Sequence, residues 1–140
     1  MIKKVLFLCT GNSCRSQMAE GIVNQDFAGH LEAFSAGTDP QGLNPRATQA
    51  MAEIGIDISA NSSDHISKFE GGNFDYVITL CGDANEKCPL FCGCVKRLHI
   101  GFPDPAQATG VEDEVMTAFR RVRDDIRRRL REFFEKELLK

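Results

Sequence analysis

The chain has 140 residues, 42% apolar and 26% charged, with a formal net charge of −3, which suits one domain over 1–140 with a real core and gives no general attraction to nucleic acid. No apolar run approaches the roughly 20 residues of a membrane helix, and the leading "VLFL" is shorter than the roughly 7–15 of a signal peptide. A soluble, cytoplasmic, monomeric protein with no membrane partner is therefore expected.

In chain order, "KKVLFLC" (3–9) is a near-continuous apolar run, the pattern of a strand covered on both faces of a parallel sheet. From Arg15 to about Ala28, Met18, Ile22 and Phe27 fall at helical spacing. "LEAFSAG" (31–37) reads as a second strand, and Pro45 opens a helix, "PRATQAMAEIG", that Gly55 ends. A short helix is expected near Asp64, a buried strand over "FDYVITLC" (74–81), and a weaker one over "VKRLHI" (95–100). "GFPDPAQATG" (101–110) is a loop by its Gly and Pro content. Val115, Phe119, Val122, Ile126, Leu130 and Phe133 then form the apolar stripe of a long closing helix. The alternation predicts an α/β fold, a small parallel sheet with helices on both faces.

In such sheets sites form beyond the carboxyl ends of the strands. Two apolar strands end in cysteine, Cys9 and Cys81, and both thiols share an edge if the strands are neighbours; Ser35 and Asp104 fall at or after the ends of theirs. Between strand and helix lies "CTGNSCRS" (9–16). Consecutive backbone N–H groups and a helix N-terminus make an anion cradle there. Gly11 permits the tight turn, Asn12 pins the loop, and Arg15 offers a planar fork to a tetrahedral oxyanion. The expected oxyanion-binding set is Thr10, Gly11, Asn12, Ser13, Cys14, Arg15 and Ser16. Electropositive surroundings of this kind favour the thiolate, so Cys9 is the candidate nucleophile. The plainer alternative has Cys9 packing as a small apolar residue and Arg15 exposed on its helix.

"VLFLCTGNSCRSQMAEG", with "DPA" at 104–106, resembles the low-molecular-weight protein tyrosine phosphatase fold over nearly the whole chain. The resemblance implies Cys9 as nucleophile, Arg15 as oxyanion clamp, Ser16 as a hydroxyl stabilising the thiolate, and Asp104 as general acid. Phosphatases of this kind generally carry aromatic residues after the Asp-Pro, whereas "DPAQATG" has none, which favours a small inorganic oxyanion.

Six cysteines in a cytoplasmic chain point to redox, catalytic or metal chemistry rather than a disulfide framework. A reductase needs a second thiol, and "CGDANEKC" (81–88) offers Cys81 as the resolving thiol and Cys88 to carry the disulfide outward. Were 81–88 helical, the two Cα atoms would stand about 10 Å apart, beyond the roughly 7 Å a disulfide tolerates, so a rearrangement on oxidation is expected.

"CTGNSCRS", "CGDANEKCP" and "GFPDPA" together are similar to the thioredoxin-coupled arsenate reductases. That resemblance implies a Cys9, Cys81, Cys88 relay reducing arsenate, with phosphate and sulfate as competing anions and thioredoxin as partner. A low-molecular-weight thiol with glutaredoxin is the alternative donor. No cofactor is required, though the resemblance implies a potassium site at Asn12, Glu20, Ser35 and Asp64. Glu20 and Asp64 fit equally as solvated residues.

Cys92 and Cys94 depart from that family. They are alternative resolving thiols or, with Cys88 and His99, zinc ligands. Cys14 either packs behind the cradle or bonds to Cys9 under oxidation, and His30 and His65 suggest surface residues. "RRVRDDIRRRLR" (120–131) reads as a salt-bridged solvent face rather than a nucleic-acid surface. The remaining alternatives are a phosphatase with incidental cysteines and a non-enzymatic thiol or zinc sensor.

Overall fold

The computed structural model describes residues 2–81 and 96–139. Its strands are β1 (Lys3–Cys9), β2 (Leu31–Gly37), β3 (Tyr76–Thr79) and β4 (Lys96–His99). The α-helices are α1 (Arg15–Asp26), α2 (Pro45–Ala52) and α3 (Glu112–Leu138), with 3-10 turns at Ile66–Phe69 and Pro105–Gln107. All strands run parallel in the order β2-β1-β3-β4.

The central place of β1 explains its unbroken apolar run, for Val5 to Cys9 are all buried and lie between two neighbours. Its alternate residues serve two cores. Val5 and Phe7 meet Met18 and Ile22 of α1, Met51 of α2, and Phe119 and Ile126 of α3. Leu6 and Leu8 meet Val77, Phe74 and Ile66 on the opposite face, where the rings of Phe34 and Phe69 close over them. Helical elements thus cover both faces, the α-helices on one and the Ile66–Phe69 turn on the other. β4 exposes alternate residues of "KRLH", a polar pattern suited to the outermost position.

The ends of α2 follow their sequence signals. Asn44 accepts hydrogen bonds from the N–H groups of Arg46 and Ala47, and Pro45 occupies the first turn of α2. Past the other end, Gly55 takes φ +79° while the Ile56 N–H reaches Met51 O and the Gly55 N–H reaches Ala52 O, a Schellman closure.

Two expectations for α3 need correction. Its stripe continues from Leu130 to Phe134 rather than Phe133: Phe134 is fully buried between the rings of Phe27 and Tyr76, at 5.7 and 5.3 Å. Phe133, half-buried, lies against the edge of Tyr76 and under Lys96. A four-residue step keeps the side chain on the core face where a three-residue step rotates it toward the rim.

The arginine run is not simply a solvent face. Arg120 and Arg123 bond Glu53, Arg123 also donates to Ala50 O at 2.8 Å, and Arg127 and Arg131 converge on Asp26. Burial pushes the Asp26 carboxyl up, but those two guanidinium groups more than offset it and hold it below the usual range. These pairs tie α3 to α1 and α2, while Arg123 with Asp124, and Arg128 with Asp125 and Glu132, also pair along the helix itself.

Removing the Phe134 ring should cost about 3–5 kcal/mol, the range for a buried aromatic. In urea unfolding Phe134→Ala should lose more than twice what Phe133→Ala loses; equal losses would place the stripe where the sequence spacing first put it.

Candidate active site

β1 delivers Cys9 to the floor of a tight loop, and α1 begins at Arg15 on the far side. The loop's carbonyls are all taken from outside. The N–H groups of Asp39, Gln41 and Asn44 donate to Thr10 O, Gly11 O and Ser13 O at 2.8, 2.9 and 3.1 Å. Asn12 O accepts from Gln17 Nε2 at 3.1 Å and Ser63 Oγ at 3.0 Å. With the carbonyls turned outward, the opposite edges of the peptide planes face the centre. Among the described residues, the N–H groups of Gly11, Asn12, Ser13 and Cys14 meet no acceptor. That is a concave set of donors with the positive end of α1 behind it.

The turn needs a left-handed residue, and Asn12 supplies it at φ 45°. Its buried side chain offsets the strain: Oδ1 accepts the Asp64 N–H and Nδ2 donates to Ser16 Oγ, both at 2.8 Å. Gly37 is needed where β2 passes under the loop, since a Cβ there would stand 2.5 Å from Thr10 O and 2.8 Å from Asn12 N.

Cys9 is 2% exposed, and its Sγ lies 2.9 Å from Ser16 Oγ. The amide Nδ2 of Asn12 can only donate, so Ser16 Oγ accepts there and its own hydrogen is free to point at the sulfur. Across the cradle, Arg15 Nη1 donates to Phe102 O at 3.2 Å and Nη2 stands 3.7 Å from Asp104 Oδ2. Asp104 Oδ1 accepts the Ala106 N–H at 3.0 Å, opening the Pro105–Gln107 turn. A cleft of about 450 Å³ joins Cys9, the loop, Arg15, Asp104 and a wall formed by 41–45; among the described residues no aromatic side chain lines it.

β3 lies beside β1, and Cys81 follows it with its Sγ 3.2 Å from Thr10 Oγ1. Two thiols from neighbouring parallel strands therefore flank the first residue of the loop. Cys9, Cys14 and Cys81 are all free thiols.

Residues 4–140 match the family described as low molecular weight phosphotyrosine protein phosphatase. The chain belongs to this family. Within its range, the chain is 54% identical over 133 residues to an arsenate reductase of Bacillus subtilis, covering 95% of this chain and 96% of that one. A solved arsenate reductase in its phosphate-binding state superimposes with a TM-score of 0.82 at 35% identity, covering 96% of this chain and 98% of that chain. A thioredoxin-dependent arsenate reductase of Corynebacterium glutamicum gives 0.72 at 26% identity, covering 99% of this chain and 63% of the other.

The remaining site expectations fall out unevenly. Cys14 is buried, and burial pushes its thiol up to about 12, which suits packing behind the cradle rather than ionisation. Asn12, Glu20, Ser35 and Asp64 form one neighbourhood: Asn12 bonds Asp64, and Ser35 Oγ donates to Glu20 Oε1 at 3.0 Å. Asn61 Nδ2 donates to Glu20 Oε2 at 2.7 Å, and Lys68 Nζ pairs with Asp64 at 3.1 Å. Burial first, and the charge of Asp64 after it, raises the Glu20 carboxyl above its usual range. His30 is exposed, and His65 is an exposed residue whose Nδ1 caps the 3-10 turn by accepting the Ser67 N–H. His99 Nδ1 meets Thr79 Oγ1 at 2.8 Å. Cys88, Cys92, Cys94 and the rearrangement expected over 81–94 lie outside the described residues, save Cys81 itself.

Sequence reading missed Gln17, Asn61, Ser63 and Phe102. Gln17 bonds the loop from the next turn of α1, Asn61 and Ser63 bond Glu20 and loop atoms from far along the chain, and Phe102 contributes a carbonyl that any residue would carry; none of these leaves a mark in spacing.

Loss of a hydrogen bond to a charged partner costs about 1.5–3 kcal/mol, equivalent to tenfold or more in a rate that depends on it. Ser16→Ala should therefore slow alkylation of Cys9 by iodoacetamide at pH 7 about tenfold or more, read by peptide mass spectrometry; an unchanged rate would show that the hydroxyl does not serve the sulfur.

Proposed function

We propose that this protein is an arsenate reductase in which Cys9 attacks the oxyanion and Cys81 and Cys88 pass the resulting disulfide to thioredoxin. The observation that carries the reading is the pair of thiols at one sheet edge, one at the floor of a donor-lined cradle and the other bonded to the loop's first hydroxyl. A phosphatase needs only the first.

The cradle and Arg15 hold the tetrahedral anion by charge-assisted hydrogen bonds. Cys9 Sγ forms a bond to arsenic while one arsenate oxygen departs, protonated to water by Asp104. Cys81 Sγ then attacks Cys9 Sγ: the sulfur–sulfur bond forms, the sulfur–arsenic bond breaks, and its electron pair stays on arsenic, which falls from As(V) to As(III) and leaves as arsenite. Cys88 attacks Cys81, freeing Cys9, and thioredoxin's dithiol reduces the Cys81–Cys88 disulfide while becoming oxidised itself. Phosphate and sulfate share the charge and shape of arsenate and compete for the cradle.

A hard monovalent cation such as potassium fits the Asn12, Glu20, Ser35 and Asp64 neighbourhood. The donors there are oxygens, and Glu20 is a half-buried carboxyl disfavoured as an anion by burial and by Asp64. A bound cation would supply the missing positive charge beside the turn that Asn12 holds. A raised native value means Glu20 supports the fold fully below the usual carboxylate range and withdraws that support as pH rises through the native value. At pH 7 without potassium, Glu20→Gln should therefore melt at or above wild type. Adding potassium should raise the melting temperature of wild type and leave the variant unmoved; an equal response would remove the site.

Arsenate-dependent NADPH oxidation with thioredoxin and its reductase tests the main reading. Wild type should turn over continuously, and Cys9→Ser, Cys81→Ser and Cys88→Ser should each fall at least 100-fold, to the order of one lost catalytic group. Loss in Cys9→Ser and Cys81→Ser alone would make Cys92 or Cys94 the final thiol. Phosphate-ester hydrolysis without reductant, unaffected by Cys81→Ser and with no arsenate turnover, would make the protein a phosphatase.

A further inference from the structure

Arg129 lies outside the cleft, yet its contacts lead directly to Arg15. From α3 its Nη1 donates to Gly101 O at 2.9 Å, and its guanidinium lies 4.8 Å from the centroid of the Phe102 ring. Phe102 is 5% exposed; its N–H donates to Leu80 O at 3.1 Å, and its carbonyl accepts Arg15 Nη1 at 3.2 Å. Two residues on, Asp104 faces the other nitrogen of the same guanidinium.

We propose that Arg129 is a positioning residue for anion capture: by clamping Gly101–Phe102 it fixes the carbonyl that sets the plane of Arg15. The clamp has three points. Leu80 O, just past the end of β3, holds the Phe102 N–H, Arg129 covers the ring by cation–π contact, and the Gly101 carbonyl accepts an Arg129 N–H. Phe102 O is then a fixed acceptor. One edge of the Arg15 fork is committed to it, so the remaining N–H groups keep a single orientation toward the cradle. Such an indirect hold matters because bidentate recognition of a tetrahedral anion depends on the plane of the fork, not only on its charge.

This inference rests on the cleft being an oxyanion site, and the test separates the two. Inorganic phosphate is titrated calorimetrically into the reduced, full-length protein. Arg129→Gln should weaken binding about fivefold, the size of one exposed cation–π contact with its hydrogen bond. Arg129→Lys, which keeps a cation and a donor, should recover most of the loss, and Arg128→Gln, an exposed neighbour on the same helix, should bind as wild type. The deciding comparison is the Arg15→Lys background, where the Arg129→Gln effect should vanish because the fork it orients is gone. Phe102→Leu should give the same Arg15-dependent loss and serves if Arg129→Gln is too unstable to titrate. Binding unchanged by Arg129→Gln, or weakened by the same factor with Lys at 15, would overturn the positioning role. Failure of wild type to bind phosphate at all would instead overturn the oxyanion reading.

Discussion

Everything in this molecule depends on turning four consecutive carbonyls away from one point. A buried loop ordinarily mixes donors and acceptors on both sides and so carries little net field. Here residues 10 to 13 have every carbonyl engaged by a group outside the loop. The cost is a left-handed asparagine and a strand that must come close beneath it, met by the Asn12 side chain and by the missing Cβ of Gly37. What results is positive character built from neutral peptides, independent of a net charge that is itself negative.

The scaffold holds that loop from both ends. β1, buried by two neighbours, fixes where Cys9 stops, and α1 leaves from Arg15 into a core shared with α2 and α3. The arginines of α3 then act as ties between helices, since Glu53 and Asp26 each collect two of them. Pairs of this sort at a partly covered seam add orientation more than stability. The second core, around Leu6, Leu8 and Val77, lies beneath the side of the sheet that Cys81 also touches.

Much of this was legible in the sequence because it is written in side-chain type. β1 and β2 occur over the spans their apolar patterns suggested, Pro45 and Gly55 mark the ends they were expected to mark, and the strand-ending cysteines do meet one loop. The misreadings arise where type says little. Phe133 and Phe134 are identical in composition and differ only by 100° around the helix axis. The arginine run does have the local partners its spacing suggested, Asp124 for Arg123 and Asp125 for Arg128, but its ties to the other helices run to Glu53 and Asp26, which are distant in sequence. The groups that shape the loop from outside are mainly backbone N–H donors at 39, 41 and 44, to which any non-proline side chain could be attached.

Cys9 and Cys14 show how finely the same loop discriminates between thiols. Both are nearly buried, at 2% and 4% exposure. Cys14, whose thiol meets the Ser13 hydroxyl at 3.8 Å, is pushed up by burial to about 12. Cys9 instead receives the Ser16 hydroxyl at 2.9 Å, oriented by the amide of Asn12, at the floor of the donor cradle. Two thiols five residues apart and similarly buried thus have different surroundings, and the difference lies in where the donors point rather than in how deeply each sulfur is buried. That same directional logic lets Cys81, only half-buried and bonded to the Thr10 hydroxyl, stand next to Cys9 as a separate group at the same sheet edge.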